Sequence, residues 1–185
     1  MLYAADDIVK ADANDIEGLK QKAKLNLRRR IRICAHKDVK ESIHEMLIIH
    51  EKGCYVRPHK HIDKTESFHI IEGLVDIIIF HENGEINKTI SMGDYVSGRK
   101  FFYRLPPSHY HTLIIQSDVL VFHEVTKGPF DPKNTILAPW APPETNVDKL
   151  SKFMELIANS IGDKKKLWMI KKTERFIKMR LLPCH

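Results

Sequence analysis

The chain has 185 residues, of which 43% are hydrophobic and 29% charged, and its formal net charge is +6. This composition is typical of one folded domain with a single core, and no segment approaches the roughly 20 apolar residues that a membrane span needs. The N-terminus lacks the charged-then-apolar order of a signal peptide, and the three cysteines are scattered. We therefore expect a cytoplasmic protein with reduced thiols and no membrane span.

Positive charge is concentrated in two places. One is residues 28–30 together with Arg32, and the other is a tail with lysines from residue 164 onward. A basic surface can attract nucleotides, nucleotide-sugars, nucleic acid or anionic lipid, or it can be a solvated face. Nucleic acid is not an expected partner, because the sequence shows no binding motif for it and the aromatic residues are not interleaved with the basic ones.

The first two thirds of the chain contain one helical pattern followed by strand patterns. Helical spacing of apolar residues predicts a helix over 14–27 that covers the core. Alternation predicts an edge strand over 30–35, and residues 43–49 form an apolar run. Further strands, separated by glycine, asparagine and proline turns, are predicted over 68–80 with a break at 72–73, 85–90, 101–105, 111–116 and 119–125. Without βαβ alternation, this order predicts a mainly β protein, an antiparallel sandwich or barrel.

The C-terminal third divides into an arm and an extension. Residues 127–145 contain five prolines and predict an extended arm without regular structure, packed on the barrel. Asn146 is placed to cap a helix through Ser160 that ends at Gly162, and residues 163–182 are ambiguous between helix and strand. We therefore expect a domain over 1–145 and a helical, basic extension over 146–185, packed on the barrel or in a dimer interface.

Residues 53–73 carry a spacing typical of a metal site. The pattern is G-x5-H-x-H-x4-E-x6-G, with His59, His61 and Glu66 as its polar members. Side chains two apart on a strand point the same way, and a carboxylate just past a short turn can return to that side. The chance expectation for the whole pattern is on the order of 10⁻⁴. The alternative is a set of surface histidines on a polar hairpin.

His111 is the predicted fourth ligand. It begins a strand after the rigid turn that starts at Pro106, and it completes the set if it faces the same interior as the other three residues. Three imidazoles and one carboxylate suit one divalent transition metal, Fe, Mn, Ni, Zn or Cu, rather than Ca or Mg. Four protein ligands leave one or two positions open on a five- or six-coordinate metal, as a catalytic site requires.

Both segments resemble the two motifs of the cupin superfamily. The second departs from the usual pattern, because Ser108 and Lys100 stand where glycines are usual. Residues 55–61, 111–113, 128–132 and 138–142 narrow the likeness to the WbuC family of cupin metalloproteins, which bacterial O-antigen gene clusters encode, over roughly residues 14 to 145. The resemblance implies a jelly-roll barrel, a homodimer and a role in cell-surface polysaccharide (lipopolysaccharide) metabolism. It implies no particular reaction.

Period-two counting suggests further residues of the pocket. If His59 and His61 point inward, Tyr55 and Arg57 do so as well. Arg57 would bind a carboxylate, phosphate or sugar anion, or pair with an internal acid such as Glu124. His109 lies in the turn near the site. Tyr55, Arg57 and His109 are therefore candidate catalytic residues.

Three functions fit this sequence. The first is a metal-dependent enzyme that isomerises, epimerises or oxygenates a sugar or small acid. The second is a non-catalytic binding module or sensor that holds a small molecule such as a sugar, a nucleotide-sugar or a carboxylate. The third is a structural metal that holds the barrel together. We take the enzyme as the leading hypothesis.

Overall fold

The computed structural model describes residues 1–161. The predictions for the helix end at Gly162, the segment 163–182 and the basic tail lie outside the described residues. Within residues 1–161 the α-helices are α1 (Ala13–Leu25) and α2 (Val147–Ser160), and two short 3-10 helices span Tyr95–Ser97 and Pro132–Asn134. The strands are β1 (Leu2–Tyr3), β2 (Arg30–Cys34), β3 (Ile43–Glu51), β4 (His59–His61), β5 (Glu66–Glu72), β6 (Leu74–Phe80), β7 (Ile86–Gly93), β8 (Phe102–Leu105), β9 (Tyr110–Ile115), β10 (Val119–Lys127) and β11 (Thr135–Leu137).

The strands form two sheets. One has the order β1-β2-β3-β10-β5-β8 and the other the order β11-β4-β9-β6-β7. Neighbouring strands are antiparallel, with the exception of β1 and β2. Apolar side chains from both sheets share one buried cluster, so the sheets pack face to face. The fold is therefore the mainly β, cupin-type jelly roll that the sequence predicts.

The outer face of each sheet is also covered. Leu19 and Ala23 of α1 pack on Ile49 and Val121 of the six-stranded sheet. The outer face of the five-stranded sheet, which includes Ile78, packs against the proline-rich arm and α2. Strand β6 is therefore buried on both faces, and this explains its nearly continuous apolar sequence.

Both predicted helices are present, and each begins at a polar cap. The side chain of Asp12 accepts hydrogen bonds from the backbone N–H groups of Asn14 and Asp15 at the start of α1. Asn146 accepts from the N–H of Lys149 at the start of α2, as the sequence predicts. Helix α2 packs on the outer face of the five-stranded sheet, whereas the proposed domain boundary at residue 145 stays a prediction. No helix within residues 1–161 combines the length and apolar character that a membrane crossing requires.

Two local predictions are wrong. Strand β2 is not an edge strand, because the short β1 pairs with it in parallel. The proline-rich arm is not free of regular structure, because its residues Thr135–Leu137 form β11 and pair with β4. None of the five prolines falls within these three residues, so the backbone there keeps every N–H that a ladder needs. This added strand lies directly beside the first histidine motif.

Candidate metal centre

Three histidines converge on one wall of the space between the two sheets. His59 and His61 are the first and last residues of β4, and His111 on the neighbouring β9 pairs directly with His59. Each ring offers a nitrogen within 4.8 Å of those of the other two. The three rings therefore lie close enough to share one ion.

The outer nitrogen of each imidazole is held by a hydrogen-bonding partner. Nδ1 of His59 lies 2.9 Å from the carbonyl oxygen of Arg57, and Nδ1 of His111 lies 3.0 Å from that of His109. A carbonyl can only accept, so both Nδ1 atoms carry the proton. Nδ1 of His61 lies 3.2 Å from the Thr135 hydroxyl on β11. The three Nε2 atoms are therefore left to face the centre, which is the arrangement in which metal-binding histidines are oriented.

Glu66 brings a carboxylate to the same point from the opposite sheet. It is the first residue of β5, and its side chain is only 4% exposed. Its Oε1 lies 2.8 Å from Nε2 of His111, and its Oε2 lies 3.3 Å from Nε2 of His61. The hydroxyl of Tyr103 on β8 donates to Oε1 at 3.3 Å. The structure thus clusters the three predicted histidines and places Glu66 against His61 and His111, whereas a ligand role for Glu66 stays a prediction.

The charges of this cluster depend on one another. Burial opposes ionisation of Glu66, but the charge and hydrogen bonds of His111 and His61 outweigh burial and hold the pKa of Glu66 well below its usual range. Burial likewise disfavours the imidazolium of His111, and the adjacent Glu66 carboxylate overcomes this and raises the pKa of His111. Burial, with the charge of His111, lowers the pKa of His59 to about 3. A metal ion at this point would replace the proton that His111 shares with Glu66.

The residues fit a divalent transition metal. Three imidazole nitrogens lie close enough together to share one ion, and the Glu66 carboxylate contacts Nε2 of two of these rings, those of His61 and His111. The hydrogen bonds at Nδ1 leave Nε2 as the donor atom of His59 and His111. Such donors suit the borderline metals from Mn to Zn. The four side chains also line a cavity of about 800 Å³ between the sheets, together with apolar walls such as Phe68 and Leu113. A small molecule in this cavity could reach the metal.

The expected inward orientation of Tyr55 and Arg57 is not observed. Residues 54–58 lie outside any strand, so period-two counting from His59 does not extend to them. The hydroxyl of Tyr55 donates to the carbonyl of Pro142 at 2.9 Å, and its ring packs with Leu150 of α2. Arg57 donates to the carbonyl of Ala138 at 3.3 Å. Both side chains hold the arm on the barrel, and neither lines the cavity.

His109 contributes through its backbone. Its side chain is exposed and contacts the carbonyl of Pro107, whereas its own carbonyl fixes the ring of His111. The same turn contains Ser108, whose φ of 66° lies in the left-handed region that glycine favours. The turn therefore keeps the shape that the missing glycine suggests, and Ser108 N–H donates to the carbonyl of His61 at 2.7 Å. This bond ties the turn to β4.

Two residues near the centre escaped the sequence analysis. Tyr103 contacts Glu66 because β8 pairs with β5, and Thr135 contacts His61 because the arm forms β11. Glu124 faces the cavity from β10. The sequence analysis already names Glu124 as an internal acid, and alternation along 119–125 places it on the face of Phe122. No local signal marks Tyr103 or Thr135, since each depends on strand register between distant segments.

The two facing sheets thus hold a His/Glu cluster between them as a candidate metal centre. The sequence profile of a family described as a domain of unknown function, DUF6016, matches residues 11–92. No curated protein matches the chain. Similar solved structures, each aligned over about half of this chain, include three proteins. A Shewanella oneidensis protein is 11% identical, with 57% of this chain and 72% of that one aligned and a TM-score of 0.48. The capsular polysaccharide assembling protein CapF of Staphylococcus aureus is 20% identical, with 53% of this chain and 27% of that one aligned and a TM-score of 0.44. The cupin domain of Schizosaccharomyces pombe Cnp3 is 14% identical, with 54% of this chain and 64% of that one aligned and a TM-score of 0.42.

Proposed function

We propose that this protein is a mononuclear metal-binding cupin that acts as an enzyme on a small organic molecule held between its sheets. The observation that carries the proposal is the oriented cluster of His59, His61, His111 and Glu66 at the wall of the cavity. A structural zinc site is closed by its ligands and buried in protein, whereas these ligands border a space that a substrate can fill.

The cavity also supports a choice of reaction class. A bound divalent metal would polarise a carbonyl or hydroxyl of the substrate. Glu124 lines the same cavity, and burial together with the charge of Glu66 raises the pKa of Glu124 to about 7. A carboxyl group with such a pKa can accept a proton and return it near neutral pH. We therefore favour isomerisation or epimerisation, in which Glu124 moves the proton, over oxygenation.

The substrate class is the second part of the proposal. The residue order shared with the WbuC family supports a sugar or sugar acid of cell-surface polysaccharide metabolism. The same proposal includes a location in the cytoplasm, where activated sugars are made. It also includes a homodimer, because cupins commonly assemble as dimers.

Metal analysis of protein purified without an affinity tag tests the proposal. We expect about one transition-metal ion per chain in the wild type. His59→Ala and His111→Ala should lose the metal, whereas His69→Ala should keep it, because His69 is exposed on the other face of β5. A wild type that stays metal-free after dialysis against Mn²⁺, Fe²⁺ and Zn²⁺ would overturn the metal site.

Turnover must then be separated from binding. The metal-loaded protein would be incubated with sugars and nucleotide-sugars, and solvent deuterium incorporation would be followed by mass spectrometry, because proton transfer exchanges a substrate hydrogen. Exchange that is lost in Glu124→Gln supports the enzyme. Saturable binding of a ligand without exchange or product identifies a binding module. A structural metal is identified if no ligand binds the metal-loaded protein and removal of the metal lowers the melting temperature.

A further inference from the structure

The basic run at residues 28–32 enters the cavity wall instead of forming only a solvated face. Arg30, Arg32 and Cys34 line the cavity from β2, with Arg32 also exposed to solvent, while Ile31 and Ile33 between them pack against the apolar cluster beneath α1. Two guanidinium groups, two residues apart on one strand, therefore project from the same face. They belong to the six-stranded sheet, opposite the sheet that carries the three histidines.

These two arginines have no acidic partner at contact distance among residues 1–161. Their neighbours in sequence do, since Arg28 bridges to Glu144 at 3.1 Å and Arg29 to Glu51 at 2.8 Å. Arg32 contacts sulfur atoms of methionines 1 and 46 at 3.2 and 3.6 Å, and Arg30 contacts the thiol of Cys54. Sulfur is a weak acceptor. Neither guanidinium group is therefore neutralised by an ion pair at contact distance, and the longer-range attraction between Arg32 and Glu124 offsets the charge only in part, because the pKa of Glu124 stays raised to about 7.

A buried histidine beside them also lacks a partner. His50 on β3 pairs directly with Arg30 in the β2–β3 ladder and lines the same cavity. It is 7% exposed, and its Nδ1 has no hydrogen-bonding partner within the described part of the chain. A buried polar atom without a partner costs free energy, which a ligand oxygen or hydroxyl can recover.

The charge balance of the whole cavity points the same way. The cationic side chains that line it, apart from Arg28, which is paired with Glu144, are Arg30, Arg32 and Lys64, and the acidic ones are Glu66 and Glu124. Glu66 is already occupied by the histidines. A divalent metal would add two further positive charges. The cavity is thus built for a molecule that brings negative charge with it.

We propose that Arg30, Arg32 and His50 form an anion subsite that holds the carboxylate or phosphate group of the substrate. The proposal deepens the function proposed above and rests on it for the reaction at the histidine cluster. The guanidinium fork matches the planar carboxylate or the phosphate edge with two parallel hydrogen bonds. A cavity of about 800 Å³ accommodates a substrate of sugar-phosphate or sugar-acid size between the two sites.

Calorimetry on the Mn²⁺-loaded full chain tests this subsite with three probes. Glucose 6-phosphate and glucuronate share the sugar ring but differ in the acid, and glucose lacks the acid. We expect saturable binding of at least one acid and affinity for glucose that is at least about tenfold weaker. The stronger of the two acids identifies phosphate or carboxylate as the preferred group.

The arginine double variant and a matched control locate the subsite. Arg30→Gln/Arg32→Gln should weaken acid binding about tenfold or more and leave Mn²⁺ stoichiometry unchanged. Arg99→Gln/Lys100→Gln removes the same charge from exposed positions outside this cavity and should bind both acids like the wild type. His50→Phe, which keeps a ring beside Phe122, should weaken acid binding to a smaller extent.

Each failure has its own signature. If the wild type does not bind Mn²⁺, the proposed metal function is overturned. The subsite is then tested by the binding of the two acids to the metal-free protein. Normal Mn²⁺ binding with equal affinity for glucose and both acids overturns the subsite alone. The subsite is also overturned if Arg30→Gln/Arg32→Gln and Arg99→Gln/Lys100→Gln weaken acid binding equally. If Arg30→Gln/Arg32→Gln does not fold, Arg30→Lys/Arg32→Lys replaces it in the test. The lysine variant keeps the charge but lacks the guanidinium fork, so it should still bind the acids more weakly than the wild type. Unchanged affinity for the acids in the lysine variant refutes bidentate recognition.

Discussion

Replacing Glu66 by glutamine tests the electrostatic reading of the metal-free centre. The carboxylate is buried and contacts Nε2 of His111 at 2.8 Å, Nε2 of His61 at 3.3 Å and the hydroxyl of Tyr103 at 3.3 Å. Glutamine keeps the volume and one acceptor oxygen. It removes the negative charge and presents an amide N–H₂ group to Nε2 of His111, which carries a proton while His111 is charged.

The free-energy cost follows from the protonation of His111. Removing one member of a buried ion pair costs about 3–5 kcal/mol, and the retained acceptor of glutamine reduces this to about 2–4 kcal/mol while His111 is charged. When His111 is neutral, its Nε2 can accept from the amide, and the cost falls to about 1 kcal/mol. The penalty of Glu66→Gln should therefore shrink as the pH rises.

The pH window follows from the directions of the two shifts. The pKa of His111 is raised in the folded state, so its stabilisation is complete below the unfolded value of 6.5 and is lost as the pH rises through the folded value. The pKa of Glu66 is lowered, so its stabilisation is present above the unfolded value of 4.5 and is lost as the pH falls. The ion pair contributes fully between these two values.

Urea unfolding in the presence of a chelator, followed by circular dichroism, measures the effect. Wild type and Glu66→Gln would be compared at about pH 6 and about pH 9. Glu82→Gln is the control, because Glu82 bridges to Lys60 on the surface and is 70% exposed, and its cost should stay below about 1 kcal/mol at both pH values. A Glu66→Gln penalty that is as small as the control at about pH 6, or that does not change with pH, would refute the pairing with a charged His111.

Three further predictions concern the residues around the centre. Ser108→Gly should raise the free energy of unfolding by up to about 1 kcal/mol in thermal denaturation, because φ is 66°, and Ser108→Ala should give no gain. Thr135→Val should weaken metal binding about tenfold by titration without unfolding the barrel, since it removes the hydroxyl beside Nδ1 of His61, and Thr135→Ser should bind like the wild type. Gly73→Ala should lower the free energy of unfolding by about 2 kcal/mol or more in urea, because φ is 92° and the added Cβ would lie 2.3 Å from the Val119 carbonyl oxygen. Gly18→Ala is the control: its Cβ meets no atom within 4 Å, so it should not destabilise the protein.

The fold was predictable because local signals mark its elements. Strand β5 and strand β6 are separated at Gly73, whose positive φ only glycine adopts without strain, and the hairpin glycine Gly84 also has a φ of 92°. The apolar stripe of α1 and the Asn146 cap of α2 are likewise local. Such features depend on the chemistry of a few consecutive residues, so a single sequence contains them.

The candidate site was predictable only in its local part. His59 and His61 share a face because alternation holds within β4. Alternation fails for Tyr55 and Arg57, because the strand begins only at His59 and the preceding residues follow the arm. Tyr103 reaches Glu66 through strand pairing, and register between distant segments is not written in either segment alone.

The location of the ligands on two sheets links metal binding to stability whatever the function. His59, His61 and His111 belong to the five-stranded sheet, whereas Glu66 belongs to the six-stranded one, so an ion bound by all four would connect the sheets. Metal at 100 times its dissociation constant adds about 2.7 kcal/mol to the free energy of unfolding by mass action alone. A rise in melting temperature on metal addition therefore does not distinguish a structural metal from a catalytic one. What distinguishes them is whether the metal-loaded cavity, with Arg30 and Arg32 on its opposite wall, binds and changes an anionic substrate.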